Sequence, residues 1–244
     1  MKNTVTLEIP ATMNRRIGQA MHDYQMLADG DRVLIGLSGG IDSLVLTSVL
    51  AGWQKKAPIS YSLSAITIDH EFWREVENGV GPQESIGSQV EGMQVEYHVE
   101  KSWELAEEER TCYQCARNRR SQLFEYARQH DYNKIAFGHH RDDLVETLFL
   151  NMLYSGNIST MVPRQELFDG NLHIIRPLAY LEKSEVMVIG NKQGLKAVAN
   201  LCPLEDKTRR KKVRKILEGI YKQEPEAKKS IFASLSNVRE GYLL

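Results

Sequence analysis

Ser38-Gly39-Gly40-Ile41-Asp42-Ser43 sets two glycines between serines and adds a carboxylate. Glycines let backbone N–H groups approach a ligand closely, hydroxyls donate hydrogen bonds, and a carboxylate holds a divalent cation. That set suits a phosphate, with Ser38, Gly39, Gly40 and Ser43 as its cradle and Asp42 as a ligand of Mg²⁺. The stretch follows the apolar Val33-Leu34-Ile35 and precedes Leu44–Ala51, which reads as a buried helix. A strand-to-helix turn of this kind aims a helix dipole at an anion. A plain helix cap at Asp42 or Ser43 would explain the polar residues but not two glycines framed by serines. The loop has neither the lysine of G-x-x-x-x-G-K-[ST] nor the spacing of G-x-G-x-x-G, so neither of those nucleotide loops is present.

Gly138-His139-His140-Arg141-Asp142-Asp143 also links a strand, Ile135-Ala136-Phe137, to a helix. Ligands of open α/β sheets sit at such strand ends. Acids at a helix N-terminus are ordinary, but they do not account for a histidine pair beside a glycine. Gly138, His139 and Asp143 are therefore assigned to the nucleotide site. Zinc suits the segment less well, because the histidines are adjacent rather than four residues apart.

A third group is built on sulfur. Cys112 and Cys115 are separated by Tyr113 and Gln114, just ahead of a helix expected to begin at Ala116. The helix N-terminus together with Arg117, Arg119 and Arg120 favours thiolates, the form that binds metal. Cys202 stands far along the chain, before Pro203. One C-x-x-C is compatible with a redox pair, with two half-buried thiols or with a metal site. With three cysteines, a zinc site must find a fourth ligand, whereas three sulfurs on a cubane cluster leave one iron open.

These groups need a frame, and 244 residues suit one α/β domain with an elaboration. Strands are expected over 33–37, 62–68, 95–99, 134–137 and 173–175. Helices are expected over 13–27 and near 43–56, 83–92, 116–130, 142–154, 182–193 and 206–222. Alternation of this kind predicts a doubly wound, Rossmann-like parallel sheet covered on both faces. A turn is expected at Gly79-Val80-Gly81-Pro82, a helix stop at Ser155-Gly156-Asn157, and a long loop from there to about Gly170. The expected division is a helical segment over 1–30, a nucleotide-binding domain over 31–200, and a basic helical segment over 201–244 packed on the same domain. The composition, 42% hydrophobic and 26% charged, is that of a soluble protein. No apolar run approaches the roughly 18 residues of a membrane span, and the expectation is a cytoplasmic protein. The net charge of −1 excludes a molecule that binds nucleic acid through its overall charge. Lys207 to Lys215 is nevertheless densely basic. Arg209, Arg210, Lys211 and Lys212, with Arg117, Arg119 and Arg120 near the cysteines, are candidates for contacts to RNA phosphates.

The blocks "GDRVLIGLSGGIDS", "TCYQCARNRR", "KIAFGHHRDDLVETLFLNMLYSGN", "HIIRPLAY" and "SLSNV" follow one another in this order. In that order the sequence resembles the tRNA 2-thiocytidine synthetase family, iron–sulfur enzymes with a pyrophosphate loop in the adenine-nucleotide alpha hydrolase superfamily. The likeness runs from about Asn14 to the C-terminus. It departs from the family at Ile41, where the family commonly has lysine, and at Ala199, the first position of a usual second C-x-x-C that ends here at Cys202. The resemblance implies an ATP-dependent, AMP- and pyrophosphate-forming tRNA sulfurtransferase, with ATP, Mg²⁺ and a [4Fe-4S] cluster as cofactors. ATP adenylates the C2 oxygen of a cytidine in the anticodon loop, sulfide held on the open iron attacks C2, and AMP leaves. The base must be turned out of its stack to react. Asp42, Cys112, Cys115 and Cys202 are then the catalytic residues, and the three cysteines the metal ligands. A sulfur donor such as a cysteine desulfurase or free sulfide is implied as a partner, and a homodimer is compatible. Two other readings stand beside this one: a related sulfurtransferase acting on another RNA base or a small molecule, and a non-catalytic nucleotide-binding module. Release of AMP from ATP separates the enzymes from the module.

Overall fold

The computed structural model describes residues 8–70, 82–105, 111–198, 208–239 and 241–242. Along the chain run α1 (Ala11–Asp23), β1 (Asp31–Gly36), α2 (Ile41–Gln54), β2 (Tyr61–Asp69), α3 (Pro82–Gly92), β3 (Glu96–Lys101) and α4 (Cys112–Gln129). There follow β4 (Lys134–Ala136), α5 (Arg141–Ser155), β5 (Arg164–Leu167), β6 (Leu172–Ile175), α6 (Lys183–Lys192), α7 (Arg209–Gln223) and α8 (Ala227–Ser234). The sheet order is β3-β2-β1-β4-β6-β5, parallel except for β5, which pairs antiparallel with β6. β1 is buried on both faces. Val33 and Ile35 point into a cluster with Ile17, Leu44, Leu46 and Ile189, and Leu34 points into the opposite one with Ile66, Leu123 and Ile135. An apolar run without polar alternation is what a strand covered by helices on both faces requires. The chain leaves β1 towards β2 on one side and returns to β4 on the other. The sheet order therefore reverses at β1 and β4, and a crevice opens beyond their carboxyl ends.

Local chemistry moves several boundaries. Gly40, in an extended conformation, caps α2, so the helix starts at Ile41 and takes Asp42 and Ser43 into its first turn. Thr111, also extended, accepts a hydrogen bond from the Gln114 amide at 3.1 Å. That cap starts α4 at Cys112 rather than at Ala116, placing both cysteines on its first turn. The stop at Ser155-Gly156-Asn157 is made by Gly156 in the left-handed conformation (φ 64°). The long loop expected after it contains β5 instead, returned to β6 through Phe168, Asp169 and Gly170, all at positive φ. Of the turn expected at Gly79–Pro82, only Pro82 is described, as the first residue of α3.

The terminal segments are packed on the sheet domain. Ile17, Ala20 and Met21 of α1 belong to the main core. Val213 and Leu217 of α7 form a small cluster with Val145 of α5, flanked by Ile231 and Phe232 of α8. Among the described residues, no helix is long and apolar enough to cross a membrane.

Candidate active site

The two glycine-bearing segments meet at the reversal of strand order. Gly39 has φ 77°, a conformation that L side chains rarely adopt, and it turns the loop back over the N-terminus of α2. Its carbonyl accepts a hydrogen bond from the Val198 amide at 2.9 Å, which ties the loop to the chain four residues before Cys202. The Ser43 hydroxyl is buried and braces the loop: it donates to the Gly40 carbonyl at 2.8 Å and accepts from the Ser38 amide at 3.2 Å. Ser38 is exposed at the loop surface. Gly138 lies directly against this turn. A Cβ there would stand 2.7 Å from the carbonyl carbon and oxygen of Asp42, so only glycine lets β4 deliver the following histidines beside the loop.

The histidines differ sharply. The His140 ring is buried among three carboxylates, 3.9 Å from Asp42, 3.6 Å from Asp142 and 3.4 Å from Asp143. Burial alone would lower its pKa, but the three acids outweigh burial and raise it. His139 is held down to about 4 by burial, reinforced by Arg176, Arg210 and His140 and opposed by Asp143, and so stays neutral at neutral pH. The Arg176 guanidinium donates to His139 Nδ1 at 3.4 Å and to the Val162 carbonyl. Burial and the like charge of Arg120 lower Arg176 to about 10.

Each carboxylate around His140 also holds a cation from a later helix. Asp42 takes the Lys183 ammonium at 2.6 and 2.7 Å. Asp142 takes Lys228 of α8 at 2.7 Å and the Lys183 amide at 2.8 Å. Burial would push the Asp142 carboxyl up, but the nearby His140 imidazole and the bonds from Lys228 and the Lys183 amide hold it well below the usual carboxylate range. Asp143 accepts the His140 amide at 3.0 Å and lies 3.9 Å from Arg210 of α7. Arg141 pairs with Glu182, and Glu182 with Lys228 at 2.8 Å. Sequence reasoning passed over Lys183, Lys228 and Arg176. Their local contexts are ordinary helix ends and a strand end, and only the fold brings them to the site.

Cys112 is exposed and Cys115 is half-buried. Residues three apart on a helix face the same way, so the first turn of α4 presents both to one ligand. Arg117, Arg119 and Arg120 are exposed on the same helix, and Arg120 faces Arg176 closely enough to depress it. Among the described residues, no group of three or more His, Cys, Asp or Glu side chains is arranged so that it could hold a metal ion. Cys202 and Ala199 lie outside the described residues. On α7, Arg209 sits over the Tyr154 ring at 4.9 Å, and Lys211 and Lys212 are exposed. Arg210 turns inward to Thr147 at 3.1 Å and Glu146 at 3.7 Å, beside the Arg214–Glu146 pair.

This geometry has known counterparts. The PP-loop domain family matches residues 10–219. A tRNA-cytidine(32) 2-sulfurtransferase of Marinobacter nauticus is 35% identical over 239 residues, covering 95% of this chain and 77% of that protein. The protein of the same name from Geobacter metallireducens is 33% identical over 239 residues, covering 93% of this chain and 90% of its own. Among solved structures, the U34-tRNA thiolase NcsA of Methanococcus maripaludis with its [4Fe-4S] cluster superposes with a TM-score of 0.75. At 23% identity over 93% of this chain and 77% of that one, it bears out the doubly wound architecture. A family match over most of the chain, with relatives a third identical along most of their own length, places the glycine loop and the Gly138 segment in a known frame: the chain belongs to the PP-loop family and, within it, to the tRNA-cytidine(32) 2-sulfurtransferases.

Proposed function

We propose that the chain is an ATP-dependent tRNA sulfurtransferase that replaces the C2 oxygen of an anticodon-loop cytidine with sulfur. The observation that carries this is the contact of Gly138 with the backbone of Asp42, which makes one site of a phosphate loop and a histidine-bearing segment. The Gly39–Gly40 backbone and the N-terminus of α2 bind the triphosphate, Ser38 adds a hydroxyl, and Asp42 holds Mg²⁺. The cytidine C2 oxygen attacks the α-phosphorus, and pyrophosphate leaves along the loop. Neutral His139, whose Nδ1 accepts from Arg176, carries its proton on Nε2 and donates that N–H at the base without adding charge. Sulfide then adds at C2 and the C–O bond breaks, releasing AMP.

Cys112 and Cys115 fit two positions of a thiolate-held [4Fe-4S] cluster, lying on one helical turn beside guanidiniums that favour an anion. Cys202 is the third ligand in this reading. Held by these cysteines, the cluster would supply a binding site for sulfide brought by a cysteine desulfurase or taken from solution. Arg117, Arg119, Arg120 and the exposed residues of α7 take RNA phosphates.

The test is anaerobic incubation with ATP, sulfide and unmodified tRNA, followed by nucleoside mass spectrometry and AMP measurement. A cytidine gaining sulfur with one AMP per event is expected, and Asp42→Asn should abolish both while retaining the fold. AMP release without any thiolated nucleoside, or Asp42→Asn turning over at the wild-type rate, would overturn the reading.

A further inference from the structure

Ser38 to Ser43 contains no cation, and Ile41, beside Asp42, is turned away from the ligand side. Its side chain is buried against α6, where a Cβ on Gly190 would stand 2.5 Å from its Cδ1. The loop is nevertheless supplied with an ammonium. Lys183, the first residue of α6, reaches both Asp42 carboxylate oxygens, at 2.6 and 2.7 Å. Its side chain is 44% exposed, so it is not locked in the core. Its backbone is fixed instead, by the amide bond to Asp142 and the Glu182–Glu185 capping interaction at 2.9 Å. A four-carbon stem on a fixed backbone moves its charge by several ångströms at little cost. The N-termini of α2 and α6 both end at this spot, favouring an anion between them.

We propose that Lys183 is the phosphate-binding cation of this site, and that its ammonium and Mg²⁺ compete for the Asp42 carboxylate. This rests on the reading of the loop as an ATP site. When a Mg²⁺–triphosphate enters, the ammonium passes from Asp42 to a β- or γ-phosphate oxygen, and Asp42 passes to the metal. Charge balances in both states: the carboxylate is never left bare, and the phosphates gain a cation that the loop itself lacks. A lysine that only ties α6 to α2 would be needed for stability but not for phosphate affinity.

The experiment compares wild type, Lys183→Met and Lys183→Arg as full-length chains. It measures calorimetric affinity for a non-hydrolysable ATP analogue with Mg²⁺ and for inorganic pyrophosphate, and the Mg²⁺ midpoint of AMP release. Lys183→Met should weaken both ligands about tenfold, the size of one charge-assisted hydrogen bond. Lys183→Arg should recover most of that loss. Where turnover remains, the Mg²⁺ midpoint of Lys183→Met should fall, because the ammonium no longer competes for Asp42. Unchanged affinity in a folded Lys183→Met protein that still thiolates tRNA overturns the role of Lys183 and leaves the function intact. A wild-type chain that binds neither ligand overturns both. A Tm loss at constant affinity assigns Lys183 to structure alone.

Discussion

At the scale of single residues, the site depends on what Gly138 lacks. Gly138→Ala puts a methyl group 2.7 Å from the Asp42 carbonyl, a backbone contact that cannot rotate away. The expected cost is about 1–3 kcal/mol of stability, as in other overpacked positions, with a greater loss of ATP affinity because the loop itself must shift. Thermal denaturation and analogue binding on one preparation check it; equal Tm and affinity would contradict it. His139 gives a pH signature. Its folded pKa of about 4 lies below its ordinary 6.5, so the folded state prefers the neutral ring. That stabilisation is present above pH 6.5 and is lost as pH falls towards 4. His140, shifted upward, acts in the opposite sense, stabilising below 6.5 and losing its contribution as pH rises through its folded value. His139→Gln should therefore lose less stability than wild type between pH 6.5 and 4, measured by denaturant unfolding across that range. Parallel pH profiles would refute the assignment. The glycines and Asp42 were legible in sequence because their chemistry is local. Lys183 and Arg176 were not, since a lysine at a helix start and an arginine after a strand acquire meaning only from what the sheet sets beside them.

At the scale of elements, the parallel strands and their helices were readable because apolar runs flanked by turn residues persist over several positions. β5 was not: Arg164-Gln165-Glu166-Leu167 has weak strand propensity and holds by pairing with β6 alone. α8 is short, with no buried residue to mark a periodic face. α4 starts four residues before the expected Ala116, because Thr111 caps the helix ahead of Cys112. That cap has a functional consequence. Thr111→Ala removes the acceptor for the Gln114 amide and should fray the turn that carries Cys112 and Cys115, at about 1 kcal/mol. Iron loss to a chelator should quicken under anaerobic conditions while Tm moves little. Identical iron retention would show that the turn is not what holds the metal.

At the scale of the whole molecule, a net charge of −1 means that any affinity for tRNA is local and salt-sensitive. Arg210 and Arg214 are engaged with Glu146, so replacing them would also loosen α7. Arg209, Lys212 and Lys215 are exposed on the same helix. Converting those three to Gln should weaken tRNA binding and reduce the slope of log affinity against log salt by about 2, with unchanged helix content. An unaltered slope would move the RNA surface elsewhere on the protein.

The three carboxylates around His140 have one more implication. Asp42 faces the nucleotide loop, Asp142 grips α8 and Asp143 reaches α7, all through one imidazole. Loop and basic helix are thus two outlets of a single charge circuit, and linkage imposes reciprocity on them. Whatever factor ATP applies to the grip on tRNA, tRNA must return to the grip on ATP.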